Sequence, residues 1–394
     1  MTSEKSGHHA QLTKWKVSAN GVFARIFLAF LTTAGIFYIN IMPALVSGLK
    51  QGLNFTNQQA GFVSSANLYG AAAGALLAVF LVKHINWKKW AYVLLIAILA
   101  LDFASIFISS SNLMISVRCV HGLVGGLLVG IGFAVISRTQ DADKTFGYLL
   151  LIQWGLGGLG IMYLPAMVPE FGTSALFVAL MSFTFVSLLM LPFLPEYPVA
   201  AVDPLALVKT SVRRKPLILN LTAIFLFQAA NMGLFAYVIG LGRAQGLTME
   251  FMSPALASAS WVALFGSLLV ILIGTKYGRA IPLIVAILLT ALCSWALIYS
   301  EIASVYLLAN VIIGITWAFV LPYMFGICSE LDKAGQLAAL GGFASKMGLA
   351  SGPMVAAFML TEDDYQLVIY AAAGVLIVAA AMVYMPARLL DKSK

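Results

Sequence analysis

The chain of 394 residues is 61% hydrophobic and 10% charged, against about 25% charged in an ordinary soluble domain. That balance excludes a water-soluble globular protein, and recurring apolar runs of roughly 20 residues, each able to cross a hydrocarbon core of about 30 Å, indicate an integral membrane protein. The net charge of +8 does not indicate nucleic acid, because eighteen of the 23 lysines and arginines fall in the tails and in alternate loops, the positive-inside pattern.

In chain order, the polar tail 1–21 holds His8 and His9, read as part of a solvated segment rather than as a metal site. The apolar run that follows is too long for a signal-peptide core and lacks a small-residue cleavage site, so the first span is expected to remain as an anchor. Spans are expected at 22–48, 57–82, 89–109, 112–137, 145–167 and 171–193, then at 217–242, 253–274, 280–299, 302–328, 335–359 and 366–386. The one long polar connection, with Pro198, Pro204 and the cluster Arg213, Arg214, Lys215, separates the sixth from the seventh. The expected organisation is a cytoplasmic tail 1–21, a six-helix bundle 22–193, a cytoplasmic linker 194–216, a second six-helix bundle 217–386 and a cytoplasmic tail 387–394. Lys50 and Arg243 are the cations left on the other face, so both termini are placed in the cytoplasm; the compact length without glycosylated outer domains suggests a multi-pass protein of a cell inner (plasma) membrane.

Charges inside the spans carry the functional argument, since a charged side chain at the bilayer centre costs about 2.5 to 3.5 kcal/mol even on lenient scales. The fourth span holds Arg118, with His121 three residues on and Gly122, Gly126 and Gly130 at four-residue steps along one stripe. Asp102 is the one acid of fifteen placed well inside a span. The third and fourth spans turn near Ser110, so Asp102 and Arg118 lie at a common depth of about 12 Å, from which they can pair. Two readings stay open: a salt bridge that holds the hairpin, or a proton-sensitive partnership in which Asp102 and His121 govern the freedom of Arg118. Lys346 sits about ten residues into the eleventh span, near mid-membrane. Arg25, nearer the end of the first, can snorkel. Neutral polar residues at cavity depth are Tyr38, Asn40, Gln153, Trp154, Gln228, Asn231, Asn310 and Trp317.

The remaining chemistry is mostly absent. Cys119, Cys293 and Cys328 show no paired spacing, and the sixteen methionines show no repeated ligand spacing, so no metal and no cofactor is expected. There is no phosphate-binding loop and no recognisable Ser/His/Asp set, which argues against an enzyme.

The two halves read as copies. At an offset of 192 residues the loop VKHINWKK falls on GTKYGRAI, and Arg118 to Gly122 fall on Asn310 to Gly314; at an offset of 188, Gly147, Gly160 and Pro165 fall on Gly335, Gly348 and Pro353. Twelve spans, a central loop and these positions resemble the major facilitator superfamily over nearly the whole chain. Against that family's loop pattern after the second span, Lys83 stands at the acid's place and Asn86 at the second glycine's, while Lys88 and Lys89 are kept. The second copy has Thr275 at the acid's place and keeps Lys276, Gly278 and Arg279. Arg118, His121 and Gly122 match the fourth-span pattern, which the resemblance links to proton coupling, and the run from Gly348 to Pro353 resembles the bend motif of antiporters.

The resemblance implies an all-α membrane protein, twelve helices in two six-helix pseudo-symmetric bundles, and alternating access around a midplane site. The expected activity is secondary active transport of a small organic anion, with proton symport, by a monomer whose partners are substrate, proton and lipid bilayer. Arg118 and Lys346 are expected to bind the negative group, with Gln153, Asn231, Asn310, Tyr38 and Asn40 orienting it. Asp102 and His121 are expected to couple the proton, and Arg25, Lys88, Lys89, Gly278 and Arg279 to serve gating at the cytoplasmic face. Alternatives are proton-driven efflux of amphipathic or drug-like compounds and a non-transporting membrane sensor.

Overall fold

The computed structural model describes residues 15–82, 84–136, 138–140, 142–197, 214–273, 276–331, 336–361 and 364–392. His8, His9, Lys83, Thr275, Pro198, Pro204 and Arg213, with most of the expected linker, lie outside them. Among the described residues the N-terminal half contains α1 (Val22–Ala34), α2 (Phe37–Asn40), α3 (Met42–Leu53), α4 (Asn57–Leu81), α5 (Trp87–Ser105), α6 (Ser111–Ile136), α7 (Ala142–Phe171) and α8 (Ser174–Met190). The C-terminal half contains α9 (Arg214–Ala244), α10 (Met249–Val262), α11 (Leu264–Ile273), α12 (Ala280–Ala296), α13 (Ala303–Leu331), α14 (Gln336–Met359) and α15 (Gln366–Asp391). With α1 to α3 taken as one interrupted span and α10 with α11 as another, the helices follow the twelve expected spans. Nine described helical stretches, one of them α10 joined to α11, are long and apolar enough to cross a membrane.

Local sequence explains several boundaries. Thr56 and Gln59 form a capping box that starts α4, with each side chain accepting from the other's backbone N–H at 3.1 and 3.0 Å. Asn86 caps α5 by accepting from the backbone N–H of Lys89 at 3.0 Å. The first span is not the continuous helix expected for 22–48: it breaks after Ala34, makes a single turn as α2, and resumes as α3 with a proline in its first turn. Gly35 and Pro43 bracket the break, since proline leaves a carbonyl four residues back without a donor.

Close helix packing rests on small residues. A β-carbon at Gly122 or Gly126 of α6 would run into the backbone of Asn67 or Ala71, and one at Gly70 or Gly74 of α4 into Cys119 or Leu123. The stripe that begins at Arg118 is therefore first a packing surface, where bare backbones let α4 and α6 touch. The C-terminal half repeats the arrangement. Gly314 abuts Ala259 and Ala263 as Gly122 abuts Asn67 and Ala71, and Gly266 abuts Ile315 as Gly74 abuts Leu123, each pair displaced by 192 residues. Contacts made at the same offset in both halves are what a duplicated bundle produces.

The halves meet through α4 with α14, α3 with α9 and α7 with α10. One end of the molecule, here the terminal face, carries Val22, Leu194, Arg214 and Lys392; the opposite face carries the turns at Asn54, Ser110, Gly246 and Ser300. Toward the opposite face the halves bond directly: Tyr237 Oη of α9 donates at 3.0 Å to the Asn57 carbonyl of α4, lies 3.2 Å from the Pro353 carbonyl of α14, and Phe62 meets Phe358 edge to face at 5.2 Å. At the terminal face, Lys88 Nζ donates to the Leu194 carbonyl at 2.6 Å, Arg138 to the Tyr197 carbonyl at 3.1 Å and Arg279 to Glu330 at 2.9 Å, each within one half.

Candidate functional site

A cavity of about 260 Å³ lies between the halves, walled by α2 and α7 on one side and by α9, α10, α13 and α14 on the other. Its polar lining is made of Asn40, Gln153, Gln228, Asn231, Ser260 and Asn310, and its aromatic lining of Trp154, Phe235 and Trp317. No charged side chain is among the lining residues. Gln153, Gln228 and Asn231 sit near the middle of long helices, where sequence depth places them. The break in the first span gives Ile39 and Asn40 their place on the wall, because a single turn between two interruptions exposes its end to the cavity.

Most of the polar groups are held. Trp317 Nε1 donates to Gln228 Oε1 at 2.6 Å, and Gln228 Nε2 donates to Ser345 Oγ at 2.6 Å, tying α13, α9 and α14 together. Trp317 also meets Phe235 edge to face at 5.9 Å. Trp261 of α10 donates from Nε1 to the Gly155 carbonyl of α7 at 3.0 Å, linking the two halves beside the cavity.

The expectation that Arg118 and Lys346 face a shared cavity is not met. Arg118 is fully buried and turned to α5, where Nη1 donates to Asp102 Oδ1 at 2.8 Å and Nη2 to the Leu101 carbonyl at 3.1 Å and to Ser105. Its guanidinium also lies over the Phe177 ring of α8, 5.1 Å from the centroid. An arginine with a buried carboxylate beside it gains more there than at a neutral wall, which is why it faces the hairpin partner. Lys346 lies one turn toward the terminal face from Leu349, a wall residue; it is half-buried and has no ion pair or hydrogen bond among the described residues.

Asp102 and His121 share the Arg118 cluster. His121 Nε2 lies 3.2 Å from Asp102 Oδ1, and His121 Nδ1 lies 2.8 Å from Asn67 Nδ2. Asn67 also donates to the Arg118 carbonyl at 3.2 Å, which fixes its amide nitrogen toward the ring. This arrangement suits Nδ1 of His121 as an acceptor, with Nε2 on the side of Asp102. Tyr38 does not line the cavity; its ring centroid is 6.2 Å from that of His121. Asn67 and Ser105 escape a sequence search because a single amide or hydroxyl in an apolar helix is usually packing.

The expected gating positions separate. Lys88 tethers the end of the first half as described, Lys89 is exposed, and Arg25 is half-buried in the first turn of α1. Gly278 has φ +72° and lies against the carboxylate of Asp391. Asp391, at the end of α15, accepts from the backbone N–H of Arg279 at 2.8 Å and of Ala280 at 2.9 Å, while Glu330 of α13 takes the Arg279 side chain. Carboxylates from two distant helices thus hold the start of α12, where no local motif could reveal them.

Comparison with known proteins gives a consistent picture. A sequence model described as the Major Facilitator Superfamily matches residues 26–348. A proposed niacin/nicotinamide transporter of Bacillus subtilis (strain 168), NiaP, is 24% identical over 163 residues, 41% of this chain and 41% of that protein. Two crystal structures of the nucleoside transporter NupG, one of a mutant, superpose with TM-scores of 0.72 and 0.70 at 16% and 14% identity, covering 92% of this chain and 98% of each of those chains. With the matched region spanning most of the chain and the two-bundle fold in place, the protein belongs to the major facilitator superfamily.

Proposed function

We propose that this chain is a secondary transporter that carries a small, uncharged polar solute through the cavity between its halves. The observation that supports this reading is a central wall of amides and indoles contributed by both halves, with no charged residue on it. The volume lies just under the usual range for ligand pockets of about 300 to 1,000 Å³, so the solute is small. A carboxylate in such a pocket would lose its hydration without a cation to offset it. The organic-anion expectation rested on Arg118 and Lys346, and their positions favour a neutral solute instead. An exporter of cations would equally want a carboxylate on the wall, and the lining offers none. The relatives' names, a niacin/nicotinamide transporter and a nucleoside transporter, fit solutes of this size.

Proton coupling is supported by a second observation. The α2 turn carries Asn40 on the cavity wall and Tyr38 beside His121, so solute and the Asp102–Arg118–His121 cluster act on one short, interrupted element. We place the coupling proton there and the terminal face in the cytoplasm. Counterflow in liposomes tests the reading, with nicotinamide, nicotinate and a nucleoside as first probes. Saturable exchange of a neutral probe, driven uphill by an inward proton gradient and lost in Asn310→Leu, is expected. Exchange of none of the probes, or exchange indifferent to Asn310→Leu, contradicts it.

A further inference from the structure

The geometry points to a hydrogen-bond polarity in the cavity: the C-terminal wall offers acceptors, so it selects neutral solutes that present N–H donors to it, and a planar primary amide is the class that fits. This rests on the transport reading above and deepens it.

Asn231 Nδ2 donates to the Phe227 carbonyl at 2.8 Å, and Asn310 Nδ2 donates to the Tyr306 carbonyl at 2.8 Å, each one turn back on its own helix. Both amides are thereby oriented with nitrogen toward the helix and oxygen away from it. Asn231 is 1% exposed, and its Oδ1 is buried without a hydrogen-bond partner among the described residues. Asn310 Oδ1 likewise accepts no hydrogen bond among the described residues. Both residues line the cavity, so these two oxygens are available to a donor brought by a ligand.

Each donor group of the same wall already has one acceptor within the protein. Trp317 donates to Gln228, Gln228 to Ser345, and Ser260 Oγ to the Leu256 carbonyl at 3.0 Å. Asn40 and Gln153 on the opposite wall have no such backbone anchor among the described residues, and although Asn40 Oδ1 is also buried without a partner there, an unanchored amide can turn to present its NH₂ to a solute carbonyl. A primary amide matches both sides: its NH₂ supplies donors to Asn231 and Asn310, its carbonyl accepts from Gln153 or Asn40, and its ring lies among Trp154, Phe235 and Trp317. The carboxylate of the same shape carries acceptors only. It would meet Asn231 and Asn310 oxygen to oxygen, and a site built for one hydrogen-bonding pattern rejects the analogue that lacks it.

The test is binding to the purified full-length protein, read by tryptophan fluorescence and by thermal shift, with benzamide and benzoate as the matched pair. Benzamide is expected to bind at least about tenfold tighter than benzoate. Asn231→Leu and Asn310→Leu are expected to weaken benzamide and leave benzoate unchanged, and Asn231→Lys to reverse the preference. Because Asn231 and Asn310 bond within their own helices alone among the described residues, at least one leucine variant is expected to fold, as its unfolding temperature will show. Equal or tighter binding of benzoate, or binding of neither, overturns the proposal. Failure of the transport reading is separate, since it appears as a cavity that thiol reagents reach from one face only.

Discussion

Arg118 persists inside an apolar bundle because Asp102, Ser105, the Leu101 carbonyl and the Phe177 ring replace the water it has lost. Removing one member of such a pair strands the other. Arg118→Leu is therefore predicted to destabilise the protein by about 3 to 5 kcal/mol, and Asp102→Leu/Arg118→Leu to recover most of that loss, as read by unfolding temperature in detergent. If the paired variant still exchanges solute but no longer follows a proton gradient, the cluster couples the proton; if coupling survives, it is a hairpin lock. Lys346→Gln, one turn from the wall, is predicted to change the affinity for a neutral solute by no more than about threefold, measured as the half-saturating concentration in counterflow. Depth in the span locates Asn40, Gln153, Asn231 and Asn310 on the wall, and equal distance from the turn at Ser110 brings Asp102 to Arg118. The direction in which Arg118 points is not legible in the same way. Helical spacing says which residues share a stripe, but not which neighbour that stripe meets, and Asn67, Ser105 and Phe177 come from three other helices.

Among the elements, the interrupted first span and the packed contacts at the opposite face set how the halves move. Tyr237 joins α9 to α4 and α14, and Gly61 of α4 leaves room for its hydroxyl. Tyr237→Phe removes this bonding without changing shape. At about 1 kcal/mol per hydrogen bond, it is predicted to raise reagent access from the opposite face by about fivefold, measured by the labelling rate of Ile313→Cys on the cavity wall. Gly122→Leu is predicted to prevent close packing of α4 on α6 and to abolish recovery of folded protein, measured by size exclusion in detergent. Span positions are legible from apolar runs because the bilayer demands them. The break at α2 is less so, since Gly35 and Pro43 are compatible with a kinked continuous helix, and only packing against Gly125 and Val129 forces Gly35 into close approach.

For the whole molecule, the duplicated contacts at an offset of 192 residues describe two similar bundles with a neutral cavity between them, joined toward the opposite face. The repeat is visible in the sequence through glycines, because only they record backbone contact; the cavity's polarity is not, because it depends on which amide atoms the helices hold back. A transporter of this design exposes the same wall to each side of the membrane in turn. The most direct measurement is labelling of Ile313→Cys, at a half-buried wall position given no part in binding, in a protein whose Cys119, Cys293 and Cys328 are replaced by serine, with a membrane-impermeant thiol reagent added to one side of sealed vesicles at a time. The account predicts labelling from both faces, with solute protecting the cysteine from either. Labelling confined to one face, unaffected by solute, would contradict it.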